Sequence, residues 1–339
     1  MKRIVYIMVG LSGLFLASCK KELSDNFTTY SNHPLNDTVW VRNVANTASV
    51  YDLFELLYPR DLLEDSLNAV NGGKLHFGDS VEVEFAPNTL VGPATSGTPQ
   101  GNVRIELLPL RRKGDFIRVF RPTTTADGSL LETGGGFLIR AFKEDKELTL
   151  ASNTSFELKF HDVDTAKPDM QAFYGREAVP APLKGIDTVF SWVRDFNTGY
   201  LPTWSKISNN PLIPSYYGYE IQSKNLRWVT ADRYIDSTLP NVKVTAILSP
   251  NFTNKNTAVF AVFDNQKIVV NCRHDYASRS FFARKIPAKS KIRLLSLSKI
   301  GSDLYLGVRE ISSVSLVTSY TITPQKKSLK EIITYLNDL

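Results

Sequence analysis

Val81-Glu82-Val83-Glu84-Phe85 alternates apolar and acidic residues at every step. A period of two puts Val81, Val83 and Phe85 on one face of an extended chain. Glu82 and Glu84 fall on the other, so the stretch reads as a strand with one wet side. Val103-Arg104-Ile105-Glu106-Leu107 repeats the pattern. Residues 93–101 between them are rich in Gly, Pro, Ser and Thr and read as a loop. Residues 116–120, 136–142, 148–150 and 156–160 continue as strands, with turns at 111–115 and 126–129. Short strands at turn-punctuated intervals describe a sandwich or a barrel.

Working outward, residues 59–67 open with Pro59 and carry acids in the first turns, which predicts a short helix closed by Asn71-Gly72-Gly73. Past residue 161 the periodicity fades, and residues 166–215 read as an irregular connector in which 186–192 reads as one further strand. A second run of strands follows: 216–221, 226–234 and 241–248. Residues 258–263 and 267–271 form a hairpin pattern around Asp264-Asn265-Gln266, and 292–297 with 304–308 another around Gly301-Ser302. At the end Ser328-Leu329-Lys330-Glu331 is a capping box, and Leu329, Ile332, Ile333 and Leu336 follow helical spacing. The expected fold is mainly β: two β-sandwich-like domains, 38–165 and 216–339, joined by a connector and finished by a short C-terminal helix.

The N-terminus carries an address. Lys2 and Arg3 precede an apolar run from Ile4 to Leu16, which ends in Leu16-Ala17-Ser18-Cys19. A basic start, a short apolar core and small residues before the cut describe a secretory signal over residues 1–18. The run is shorter than the roughly 20 apolar residues of a membrane span. Its last four residues resemble the lipobox of bacterial lipoproteins. That resemblance implies lipidation of Cys19, cleavage before it, and a membrane partner reached through the lipid. Residues 19–37 are polar and read as the tether. The expected location is the outer membrane, facing the surface or the periplasm.

Residues 72–75, 81–90 and 101–103, then 123–125 and 128–137, resemble ZU5-like β-sandwich modules. The variant they match is one found in uncharacterised Bacteroidetes-type lipoproteins. The step from Trp228 to Asp232, Arg233 and Tyr234 resembles the C-terminal part of the same proteins. The resemblance implies an interaction or structural module and carries over no catalytic residue.

Charge is divided along the chain. Residues 19–178 hold 17 Lys and Arg against 23 Asp and Glu, whereas residues 179–339 hold 21 against 11. The basic residues are scattered and no nucleic-acid motif accompanies them, so nucleic acid is not an expected partner. With Cys19 taken by lipid, Cys272 stands alone in an apolar run and reads as a buried thiol.

Sites for a reaction are sparse. Gly134-Gly135-Gly136 lacks the lysine of a phosphate loop and reads as a tight β-turn or a bulge. His161-Asp162-Val163-Asp164 lacks the glycine turn and late glutamate of a calcium loop. Cys272-Arg273-His274-Asp275 has no second cluster to complete a zinc site. Glu82 and Glu84 share a face but read as its solvated side. No metal, cofactor or catalytic residue is expected. The pointed residues are Tyr200, Trp204, Trp228, Asp232, Arg233 and Tyr234. They read either as a ligand-facing set or as an Asp232–Arg233 ion pair beside core aromatics. Tyr216, Tyr217 and Tyr219 extend the aromatic run. The function expected is non-catalytic binding or support at the envelope, with an envelope protein or a glycan as partner. A glycan-binding lipoprotein and a hydrolase with an unfamiliar site are the alternatives.

Overall fold

The computed structural model describes residues 36–60, 62–92, 97–163, 166–178, 185–206, 215–235, 238–315 and 319–339. The signal, Cys19 and the tether up to residue 35 lie outside them, as does Asp164. Thr38–Leu339 form one compact unit.

In chain order the elements are α1 (Ser49–Leu57), β1 (Leu63–Asn68), β2 (Gly73–Phe77), β3 (Val81–Phe85), β4 (Leu90–Val91), β5 (Asn102–Leu110), α2 (Lys113–Arg118) and β6 (Leu131–Lys143). Then come β7 (Lys146–Glu147), β8 (Thr149–Leu150), β9 (Phe156–Val163), β10 (Gln171–Arg176), β11 (Ser191–Arg194), β12 (Thr203–Lys206), β13 (Tyr216–Ser223) and β14 (Arg227–Tyr234). The last group is β15 (Asn241–Ile247), β16 (Thr257–Phe263), β17 (Val269–Asp275), β18 (Ser280–Pro287), β19 (Ile292–Ile300), β20 (Asp303–Ile311), β21 (Ser319–Thr321), β22 (Gln325–Lys327) and α3 (Leu329–Asn337).

The fold is mainly β. A first sheet runs β1-β5-β6-β14-β10-β11, with β7 beside β6. A second runs β12-β13-β9-β3-β2. Alternating residues of both, among them Val83, Phe85, Ile105, Phe137, Leu158 and Ile221, close a shared sandwich core. A third sheet runs β21-β15-β18-β17-β16-β19-β20-β22 around its own core. A third cluster joins the outer face of the first sheet to α1, α3 and the outer face of β16 and β19. There Phe54, Phe120 and Phe260 meet edge to face, with centroids 4.7 to 6.0 Å apart.

Three expectations need correction. Residues 59–67 hold no helix: β1 pairs with β5 from Leu63↔Leu107 to Asn68↔Asn102. Of the acids that suggested a helix start, Asp61 lies outside the described residues, and Glu64 and Asp65 sit exposed along an edge strand, with Glu64 against Arg104. The helix lies just before, where Val50, Leu53, Phe54 and Leu57 bury one face of α1. Residues 116–120 are not a strand. The Asp115 carboxylate accepts the N–H groups of Arg111 and Arg112 and closes a helical start. Phe120, at φ 53°, ends that helix. Finally, the stretch expected as a connector supplies β10, β11 and β12 to the two sandwich sheets. The strands expected to open the second domain, β13 and β14, pair with β9 and β6. Backbone pairing thus carries the first sandwich to residue 234.

Other expectations hold. β16 and β17 pair as a hairpin, as do β19 and β20. Ser328 and Glu331 form the reciprocal cap of α3. Register slips between Ala231 and Asp232 opposite Gly134, so the triple glycine is a bulge. A Cβ at Gly134 would lie 2.7 Å from the Tyr219 ring, which explains the missing side chain. Cys272 is buried, and burial pushes its thiol up to about 12.

Candidate functional site

Three of the six pointed residues converge. Tyr200, Arg233 and Tyr234 line a groove of about 360 Å³ together with Glu132, Asp169, Gln171, Ile235 and Gln266. The sheet builds it. Arg233 and Tyr234 end β14, whose partner across β6 places Glu132 directly opposite Arg233. A backbone bridge between Gln171 and Tyr200 brings the loop after β11 onto the start of β10. Tyr200 is 66% exposed and Tyr234 45%. The Tyr234 ring stands edge-on against Phe173 at 5.5 Å, so its position is fixed while one side stays open.

Glu132 is the polar anchor. Its side chain is 1% exposed and is held by two cations. Arg233 donates to Oε2 from Nε at 2.9 Å and from a terminal nitrogen at 2.7 Å, and Lys167 donates to Oε1. Burial works to raise this carboxyl, but the two cations overcome it and hold it below its ordinary value. Glu132 is therefore a fixed anion, and it aligns Arg233 beside the tyrosines.

Sequence adjacency misleads for Asp232. It does not pair with Arg233. Neighbours on a strand face opposite ways, and Asp232 is fully buried, with the Thr230 hydroxyl donating to Oδ2 at 2.7 Å. Burial pushes its carboxyl up to about 7, against the opposing hydroxyls of Thr133 and Thr230. Trp228 is also buried. Its indole N–H donates to Glu177 at 2.8 Å, and the Arg121 guanidinium lies 4.9 Å from its ring. Trp204 belongs to a different cluster, in which His161 lies between Trp204 and Tyr216 at 4.9 and 5.1 Å. Tyr219 is core, and its hydroxyl accepts from the Lys167 N–H at 2.7 Å.

The remaining candidates dissolve into ordinary surface or core. Lys74 bridges Glu82 and Glu84 on their solvated face. Among the described residues no three of His, Cys, Asp and Glu come together as a metal centre. A larger cavity of about 550 Å³ has mixed walls, in which Val50, Phe120, Phe190 and Phe281 stand beside Asn254, Asn271, Arg273 and His274. Asp187, its only carboxylate, accepts from the backbone N–H groups of Ala178 and Val189 and so serves the loop itself.

Sequence reasoning missed Glu132, Lys167 and Gln171. Glu132 was legible only as the residue two before Gly134, and its role depends on a register that no local pattern reveals. Comparison with protein-family models, curated proteins and solved structures returned no match.

Proposed function

We propose that this chain is a lipid-anchored, non-catalytic binding protein of the outer membrane, and that the groove lined by Tyr200 and Tyr234 takes a glycan. One observation carries the glycan reading. Two open tyrosine rings stand beside a prealigned Glu132–Arg233 pair, with Gln171, Asp169 and Gln266 completing the wall. A sugar ring offers an apolar C–H face that stacks on an aromatic ring, and hydroxyl pairs that match amide, carboxylate and guanidinium groups. Lipid attachment rests on Leu16-Ala17-Ser18-Cys19.

A glycan array probed with the full chain in detergent tests the groove. Binding to a defined set of glycans is expected, weakened about tenfold or more in Tyr200→Ala and Tyr234→Ala, since lost base or ring stacking is worth ~1–3 kcal/mol in comparable aromatic sites. Silence of the wild type across neutral and acidic glycans would overturn the glycan reading. The envelope-protein reading would replace it, with Phe196, 78% exposed, as the side chain to test in that contact.

A further inference from the structure

The basic excess of the chain is concentrated after residue 237, where residues 238–339 hold 15 Lys and Arg against six Asp and Glu. Many of these cations have acidic partners: Lys291 and Arg293 meet Asp264, Lys299 meets Asp52, Lys326 meets Asp303 and Lys327 meets Glu331. A group on one face of the third sheet does not. Register places Arg273 of β17 and Thr245 of β15 on either side of Phe282 in β18. Arg284 is two residues along from Phe282, and Lys243 two before Thr245, so all three cations share the Phe282 face. Lys243, Arg273 and Arg284 are exposed, and among the described residues none is paired with a carboxylate within 4 Å, although the Lys243 charge reaches Asp275 and adds to the Ser278 hydrogen bonds that chiefly lower its carboxyl. Arg279, in the turn between β17 and β18, is a fourth.

The Phe282 ring organises them. Lys243 Nζ lies 4.6 Å from the ring centroid and the Arg284 guanidinium carbon 5.3 Å. Both are within cation–π range, so an aromatic ring draws like charges together where acids would ordinarily do so. The one acid on this face, Asp275, accepts from the backbone N–H groups of Ala277 and Ser278 in its own turn and also feels the Lys243 charge, so a single anion stands against four cations. The result is a short row of cations across β15, β18 and β17, about 10 Å wide at the usual strand spacing. An anion that spans the row relieves the repulsion within it.

We infer that the Lys243–Arg273–Arg284 face of the third sheet is a docking surface for an acidic polysaccharide. The row has the form of a linear polyanion rather than a plane. A membrane surface calls for a broad cationic field with several apolar side chains free to enter the headgroup layer, whereas here Ile247 alone is exposed along the β15 part of the face and the ring at the centre is covered by its cations. The face shares no residue with the Tyr200–Tyr234 groove and stands without it.

The test is retention of the full chain, in detergent, on immobilised polygalacturonate and on immobilised heparin, with dextran as the neutral control. Binding to one or both anionic supports is expected. It should fall steeply as salt rises, because exposed charges are screened within about 10 Å at 0.1 M. The triple variant Lys243→Ser, Arg273→Ser, Arg284→Ser should bind roughly ten- to a hundredfold more weakly with an unchanged melting temperature. Phe282→Leu keeps every charge and loosens their grouping, so it should weaken binding by a smaller factor. Equal binding by wild type and triple variant would overturn the inference, as would retention on dextran. So would capture by vesicles containing anionic lipid without retention on either polysaccharide. Loss of groove binding in Tyr200→Ala leaves this result unchanged, which separates the two sites.

Discussion

Asp232 is buried with only threonine hydroxyls against its carboxylate, and this sets a pH dependence. Its carboxyl titrates near 7 in the folded chain against an ordinary 3.8. Between those values the folded chain keeps a proton that the unfolded chain has released. Stability therefore falls as pH rises through that window, by on the order of 4 kcal/mol at most, and levels off above it. Asp232→Asn removes the titration and keeps an acceptor for Thr230. Melting curves should show the variant gaining on wild type between pH 4.5 and 8, with the difference largest at pH 8; a difference independent of pH would contradict this. At this scale the sequence was half legible. The period of two separates Asp232 from Arg233 onto opposite faces, which undoes the ion pair their adjacency suggests. Arg233's true partner, Glu132, lies 101 residues away and depends on β6 and β14 lying side by side with a bulge at Gly134.

Among the elements, α2 and α3 depend on one glycine. A Cβ at Gly114 would lie 1.8 Å from the Leu336 carbonyl oxygen, so the two helices touch backbone to backbone. Arg112 donates to the Asn337 carbonyl at 3.1 Å and closes the far end of α3. Gly114→Val should push α3 outward and cost about 2 kcal/mol of stability, read by chemical denaturation. Ser328→Ala, which removes the cap of the same helix, should cost about 1 kcal/mol. If the glycine variant proved the milder of the two, the close approach would be of no consequence. The capping box made α3 legible because its signal is local and its apolar spacing agrees with it. α2 was not legible. Phe116-Ile117-Arg118-Val119-Phe120 has the residue types of a strand, and the deciding interaction is one carboxylate, Asp115, accepting two N–H groups. β1 failed in the opposite sense: its acids fit a helix start, but six paired positions on β5 outweigh that preference.

Over the whole unit, Phe54, Phe120 and Phe260 bind α1, the turn after α2 and the third sheet into one apolar cluster. The sandwich and the third sheet should therefore unfold together. Calorimetry of the full chain should give one transition. Phe260→Ala, costing about 3–5 kcal/mol, should lower that transition as a whole rather than split off a second. Two transitions in the wild type would contradict this coupling. The mainly β class, both late hairpins and the terminal helix were legible, because each follows from periodicity and turns within a short window. Of the strands in 171–206 only β11 was touched, by the strand read at 186–192; β10 and β12 are short and owe their place to partners on β14 and β13. If the proposed lipid anchor at Cys19 holds, Cys19→Ser should move the protein from the detergent phase to the aqueous phase of a cell extract, since acyl chains would supply the anchoring.

Hydrogen exchange of the full chain, measured with and without the glycan that binds it most tightly, tests the central claim most directly. The account expects slowed exchange around residues 167–173, 198–201 and 232–235, the walls of the groove, and the effect should vanish in Tyr200→Ala. Protection confined to other parts of the chain, or a Tyr200→Ala pattern identical to that of the wild type, would contradict the groove as the binding site.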